Sequence, residues 1–121
     1  MIDRPADPYV ANCPSRQVLD RIGDRWTVLV VGALPDGQRR YTEIARRIDG
    51  VSQKMLTQTL RGLERDGLVK RTVHASVPPR VDYELTPLGQ SLRGPIAALH
   101  DWATSHIDSV IAARREYDTA G

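Results

Sequence analysis

Few residues in this 121-residue chain have the types and spacing that chemistry needs, and the cysteine comes first. Cys13 is the one cysteine, so no intrachain disulfide can close, and a thiolate zinc site would need several more. His74, His100 and His106 form no i, i+4 metal-ligand pair, and the chain has neither a glycine-rich phosphate loop nor a G-x-S-x-G turn. These patterns argue against an enzyme, a metal site or a bound cofactor. Cys13 itself precedes Pro14, which places its thiol at a helix N-cap with Arg16 one turn away. The positive helix end and the cation both favour thiolate, so a redox or electrophile response is open to Cys13. Without a second cysteine, its oxidised end points are a Cys13 to Cys13 bond between two chains, a mixed disulfide or a sulfenic acid. The alternative is a small packed residue.

The second kind of chemistry is recognition of a polyanion. Net charge is only +2, yet residues 39–80 hold ten Arg/Lys against four Asp/Glu, or +6, leaving −4 for the remainder. Clustered cations of this kind neutralise phosphates and release counterions. A helix expected over Gln53 to Asp66 sharpens the pattern. Met55, Leu56, Thr59, Leu60 and Leu63 fall on one side, while Lys54, Thr57, Gln58, Arg61 and Arg65 fall roughly opposite. Gln and Thr can bond base edges, and Lys and Arg can take guanine edges or phosphates. Ser52 and Gln53 lie at the helix start, where backbone N–H groups favour a phosphate. Arg39, Arg40 and Thr42 flank the helix from the chain segment before it, and Arg80 comes from a hairpin after it. An ordinary solvated basic face is the competing explanation.

The positioning elements follow from local signals. Hydrophobic residues make up 40% and aromatics 5%, with no Phe, so one domain with an aliphatic core is expected. No apolar run approaches the roughly 18–20 residues of a bilayer span, and the polar start lacks a signal segment. A cytoplasmic protein with no membrane contact is expected. After an arm over residues 1–12, a first helix starts at Pro14 and carries Val18, Leu19 and Ile22. Asp24 caps a second helix, Arg25 to Leu34, and Thr42 with Glu43 opens a short third after a brief Arg39-Arg40-Tyr41 strand. Ser52 caps the Gln53 to Asp66 helix, and Gly67 ends it. Two helices joined by a Gly-containing turn make a helix-turn-helix. Strands over Leu68 to His74 and Val81 to Leu85 bracket a proline-stiffened tip that would present Arg80. Thr86-Pro87 starts another helix, interrupted at Gly94-Pro95. Beyond it Ile96, Leu99, Ala103, His106 or Ile107, and Val110 make an apolar stripe that needs a partner, before residues 118–121 fray. The fold class is mainly α with a small β-hairpin wing, organised as a 1–12 arm, a 13–92 helix-turn-helix domain and a 93–121 terminal helix and tail.

Cys13-Pro14, Gly23-Asp24-Arg25-Trp26, Arg40-Tyr41-Thr42-Glu43-Ile44, Ser52-Gln53-Lys54-Met55-Leu56, Leu63-Glu64-Arg65-Asp66-Gly67-Leu68 and Val77-Pro78-Pro79-Arg80-Val81-Asp82-Tyr83-Glu84-Leu85-Thr86 occur in that order. In this sequence of motifs the chain resembles the HxlR-type winged helix-turn-helix transcriptional regulators over Cys13 to Leu92. The resemblance implies a winged-helix fold, a homodimer formed by terminal helices, and regulation, read as repression, at inverted-repeat operators in double-stranded DNA. It implies that Ser52 to Arg65 is the recognition helix and Val77 to Arg80 the wing, with Arg80 at the minor groove or its phosphates. Some members sense oxidants, quinones or aldehydes through a cysteine whose position Cys13 matches. His74 departs from the pattern, standing where the family often has an aromatic residue, and a pH response at its imidazole competes with simple packing. Two other functions stay open. One is a small-molecule-gated regulator with a pocket drawn from Trp26, Tyr41, Tyr83, His100, Trp102 and His106; the other is a helix-mediated protein-binding module.

Overall fold

The computed structural model describes residues 7–120; residues 1–6 of the expected arm, and Gly121, lie outside the described residues. Residues 7–12 form hydrogen-bonded turns, with the Val10 N–H on the Asp7 carbonyl and the Cys13 N–H on the Val10 carbonyl. Helix α1 (Pro14–Gly23) follows, with Cys13 at its N-cap and Pro14 in its first turn. Asp24 separates it from α2 (Arg25–Gly32), accepting the Thr27 N–H at 3.2 Å. A two-residue strand β1 (Arg39–Arg40) leads into α3 (Tyr41–Arg47), and α4 (Gln53–Arg65) completes the helix-turn-helix. The hairpin is β2 (Val69–His74) and β3 (Arg80–Leu85). Short α5 (Pro87–Ser91) and long α6 (Arg93–Ala120) end the chain.

The three strands make an antiparallel sheet in the order β1-β3-β2. Arg39 and Arg40 lie opposite Tyr83 and Asp82, and β2 pairs with β3 from Val69 opposite Leu85 to His74 opposite Arg80. This is a winged helix: mostly helical, with a small sheet made of the β2–β3 hairpin and the short strand before α3. The core gathers Val30, Val31 and Leu34 from around α2, Ile44 and Ile48 from around α3, and Leu56, Leu60 and Leu63 from α4. Leu68, Val69, Tyr83 and Leu85 bring in the sheet, and Ile96 brings in α6.

Local chemistry sets the joints. At the end of α4 the Leu68 N–H bonds the Leu63 carbonyl and the Gly67 N–H bonds the Glu64 carbonyl, with Gly67 at φ 76°. That left-handed cap turns the chain from helix into β2 and is cheapest for glycine. Thr86 then ties the end of β3 to the same turn. Its hydroxyl donates to the Gly67 carbonyl at 2.6 Å and accepts the Gly89 N–H at 3.1 Å, while its own N–H bonds the Leu68 carbonyl. α5 is thereby held so close that a Cβ at Gly89 would overlap the Leu68 carbonyl.

Besides shifts of one or two residues at the ends of α2, α4, β2 and β3, three departures from the sequence expectation bear on the fold. α3 is capped at Arg40, not Thr42: the Glu43 carboxylate reaches back to accept the Arg40 N–H at 3.0 Å. The break before the terminal helix falls at Leu92, and Gly94 and Pro95 lie in the first turn of α6, where the missing proline N–H has no helical partner to lose. α6 also runs through the segment expected to fray, with the Thr119 hydroxyl bonded to the Arg115 and Glu116 carbonyls. Among the described residues, no helix is long and apolar enough to cross a membrane.

Gly89→Ala is expected to lower stability by about 1–3 kcal/mol, because the overlapped atom is backbone and cannot rotate away. Gly32→Ala meets nothing within 4 Å and sits in a helix, so it is expected to be neutral or to stabilise by up to about 1 kcal/mol. Urea unfolding of both variants checks the contrast.

Candidate nucleic-acid interface

α4 is split lengthwise. Leu56, Leu60 and Leu63 are essentially inaccessible, and Thr59 is buried with its hydroxyl donated to the Met55 carbonyl at 2.8 Å. Ser52, Gln53, Lys54, Gln58, Arg61 and Arg65 are exposed. The N-cap is the Ser52 side chain, which accepts the Met55 N–H at 3.1 Å. Its hydroxyl proton is left over for an outside acceptor. The helix therefore presents Lys54, Gln58, Arg61 and Arg65 outward, with Glu64 the single carboxylate among its residues.

Two residues at the edges of the stripe depart from expectation. Met55 was placed on the packed side but is 38% exposed. At about 100° per residue it stands a quarter-turn from Leu56 and overhangs the core. Thr57 stands a similar angle away on the other edge, half-buried, with its hydroxyl 3.2 Å from the Tyr41 hydroxyl. Tyr41 also donates to the Gln53 carbonyl at 3.1 Å. Thr57 therefore helps hold α3 against α4 and is less available to read a base. Tyr41 was not foreseen in this role, since only the fold brings the start of α3 to the start of α4.

The flank is arranged around a second polar joint. Arg39, half-buried, donates to the Gln38 carbonyl at 3.0 Å, while Arg40 and Thr42 are exposed beside α4. On β3 the side chain of Asp82 is only 6% exposed. One of its oxygens takes His74 Nε2 at 2.9 Å and Arg80 Nη2 at 3.4 Å. Its other oxygen and Arg80 Nε are buried with no hydrogen-bond partner. Arg80 was expected at the hairpin tip; it is instead the first residue of β3, half-exposed and drawn to Asp82. His74, standing where the resemblance often implies an aromatic residue, makes a hydrogen bond to the same carboxylate. A buried carboxylate needs such donors to offset its lost hydration.

Between α4 and the hairpin runs a groove of about 490 Å³, lined by Tyr41, Gln53, Thr57, Arg61, Glu64, Arg71, Val81 and Tyr83. Arg71 is an exposed cation on the same strand as Val69 and Val73 and in step with both, so period-two alternation alone could have placed it on the face turned to α4. Within one chain the six ring residues expected to contribute to a pocket at the dimer helices do not converge. Trp26 is in the core under Arg25, Tyr41 and Tyr83 line the groove, and Trp102 stacks on His106 along α6 at 4.7 Å. His100 faces a different cavity of about 580 Å³ between α2 and α6.

Cys13 is the N-cap residue of α1 and is not part of the lining of the groove between α4 and the hairpin. It is buried, 2% exposed. Hydrogen bonding from the Ser15 side chain holds its thiol below the ordinary range, helped by backbone groups of Ser15, Asp7 and Arg16, while burial opposes the shift. Among the described residues, no group of three or more His, Cys, Asp or Glu side chains is placed to hold a metal ion.

Known proteins share this architecture. A family model described as HxlR-like helix-turn-helix matches residues 21–111. The HTH-type transcriptional regulator YtfH of Escherichia coli is 44% identical over 108 residues, covering 89% of this chain and 86% of that protein. The solved structure of the transcriptional regulator ytfH from Salmonella typhimurium superposes with a TM-score of 0.86 at 42% identity, covering 92% of this chain and 99% of that one. The redox regulator HypR in its oxidised form superposes with a TM-score of 0.70 at 39% identity, covering 77% of this chain and 96% of that one.

Tyr41→Phe is expected to cost about 0.5–1.5 kcal/mol in urea unfolding by removing the hydroxyl that joins Gln53 and Thr57. An unchanged midpoint would show that the joint contributes nothing.

Proposed function

The chain belongs to the HxlR-like helix-turn-helix family of transcriptional regulators, and from that premise we propose that it is a cytoplasmic, sequence-specific DNA-binding repressor that works as a homodimer on an inverted-repeat operator. The observation that carries this reading is the exposed row Lys54, Gln58, Arg61 and Arg65 on a helix whose opposite side is locked in the core. Gln58 and Arg61 have the donor geometry for base edges, and Lys54, Arg65, Arg39, Arg40 and Arg80 supply phosphate contacts. Ser52, Gln53 and Thr42 border the helix entrance, and Thr57 steadies it.

The dimer reading rests on unpartnered apolar surface. α1 buries no residue and leaves Val18 and Leu19 at least half exposed; α6 buries only Ile96 and exposes Leu99, Trp102 and Ile107. A second copy covering these helices would set two recognition helices about 10–10.5 base pairs apart, or a multiple of that. Repression follows where the operator overlaps a promoter.

Cys13 is the proposed thiol switch, answering an oxidant, quinone or aldehyde. Its support is the N-cap position, the Ser15 hydrogen bond and the likeness to the oxidised HypR structure. Burial makes the response conditional on opening of the residue 7–12 turns, so oxidation and the start of α1 are linked. A small-molecule-gated regulator is the second reading, favoured by the cavity between α2 and α6.

Three outcomes check the reading. A duplex selected from a random pool by the protein should bind far more tightly than its scrambled counterpart at about 0.15 M salt, with affinity falling steeply as salt rises. Equal, weak binding to both would contradict it. Diamide treatment should change wild-type operator affinity and leave Cys13→Ser unchanged; an equal response in both would remove Cys13 from the mechanism. Because the folded chain holds the thiol below its ordinary range, the unfolded chain keeps that proton at a pH where the folded one has released it. The resulting stability is present above the unfolded pKa and is lost as pH falls through the folded value. Thiolate absorbance, taken as wild type minus Cys13→Ser, should show a lower half-point in the folded chain than in urea; coincident half-points would contradict this.

A further inference from the structure

Asp66 caps α4 at its C-terminal end and is shared by two cations from different helices. Arg21, in the last turn of α1, donates its Nε proton to Asp66 Oδ2 at 3.0 Å. Arg65, the last residue of α4, comes only to 3.9 Å of Oδ1. The two contacts are unequal. The first is a hydrogen-bonded ion pair between side chains 31% and 27% exposed, while the second lies beyond hydrogen-bond range and its arginine is 84% exposed. Arg21 reaches Asp66 across Gly62, which is buried and carries no side chain; a Cβ there would overlap the guanidinium. α1 buries no residue outright, so this pair is its polar joint to α4.

The joint bears on DNA because Arg65 stands next to it. A partly buried carboxylate has lost some of its hydration and draws in a cation that can reach it. While Arg21 holds Asp66, that demand is met, and the Arg65 guanidinium is left to solvent or to a phosphate. With Arg21 withdrawn, Arg65 is the cation that remains within reach of Asp66, and its extended arm closes on the carboxylate. We infer that Arg21 is a positioning residue for DNA binding: by occupying Asp66 it keeps Arg65 available for a phosphate, so the seat of α1 sets the charge that the C-terminal end of α4 offers to DNA. Arg21 touches no DNA in this role. The inference rests on the DNA-binding reading with Arg65 as a phosphate contact, and it makes α1 a control on that contact. A displacement of α1 is thereby felt at the end of α4 without any change in the packing of Leu56, Leu60 and Leu63.

The test is a salt titration of operator binding in a mutant cycle. Arg21→Ala, and Arg21→Met with its apolar stem still over Gly62, should each flatten the slope of log affinity against log salt by about 0.9, the loss of one phosphate contact. Arg65→Ala should lose the same, and Arg21→Ala combined with Arg65→Ala no more than either alone. Asp66→Asn should restore the wild-type slope in the Arg21→Ala background, because without the carboxylate nothing draws Arg65 in. A merely structural role for Arg21 gives no such rescue, since removing Asp66 from a destabilised chain returns no phosphate contact. Arg16→Ala, which takes the same charge off an exposed position on α1, should keep the wild-type slope. Unchanged slopes in both Arg21 variants would overturn the inference. So would losses at Arg21 and Arg65 that add to about 1.8 without rescue by Asp66→Asn, an outcome that makes Arg21 a phosphate contact in its own right. In either case Gln58→Ala losing operator preference would leave DNA reading through α4 standing. If wild type shows no operator preference at all, the DNA-binding reading fails and the role of Arg21 fails with it.

Discussion

Everything else in the molecule depends on α4 being held from one side only. Leu56, Leu60 and Leu63 are buried against α2, α3 and the sheet, and the Gly67 cap closes the helix so that β2 can fold back beside it. Full burial of three leucines favours the fold by about 1.5–3 kcal/mol each, enough to fix the rotation of the helix about its own axis. That rotation decides which residues face solvent. Turning the helix by one residue would bury Arg61 or Gln58, at a cost far beyond any surface contact they make. The open face is thus a consequence of the packed one.

Around this anchor, polar joints set the surrounding groups. Tyr41 joins the start of α3 to the start of α4, Thr86 joins the sheet to the Gly67 turn, and Arg21 of α1 meets Asp66 at the end of α4 at 3.0 Å. The Arg21 guanidinium lies over Gly62, where a Cβ would collide with it. Asp82 organises the hairpin in the same way, collecting His74 and Arg80 on one buried oxygen. These contacts are individually modest. Together they hold the exposed cations around α4 on a rigid frame, so less conformational entropy is lost when they engage a ligand.

Much of the architecture was legible in sequence because its signals are local. Asp24, Ser52, Gly67 and Thr86 mark helix ends through bonds to backbone only three or four residues away, and all four act at the positions expected. The apolar spacing of α4 named its buried side except at Met55, whose angle puts it at the margin. What local signals could not give were partners distant in sequence. Arg80 reads as a free hairpin cation until Asp82 is seen beside it, Thr57 as a reading residue until Tyr41 arrives, and Arg71 as mere strand until the sheet is laid next to α4. The Gly94-Pro95 pair misled for a different reason: proline breaks a helix interior but is tolerated in a first turn, and the sequence does not say which of these holds.

The central claim is that the open face of α4 reads bases. Its most direct test is a cycle pairing each half-site base pair, substituted singly, with wild type, Gln58→Ala and Arg61→Ala. Each alanine variant should lose about 1–3 kcal/mol on the intact operator and become indifferent to the base at one position, while staying sensitive at the others. If the variants instead weaken binding equally at every substituted operator, with no position where discrimination disappears, these side chains are not reading bases and the recognition-helix account fails.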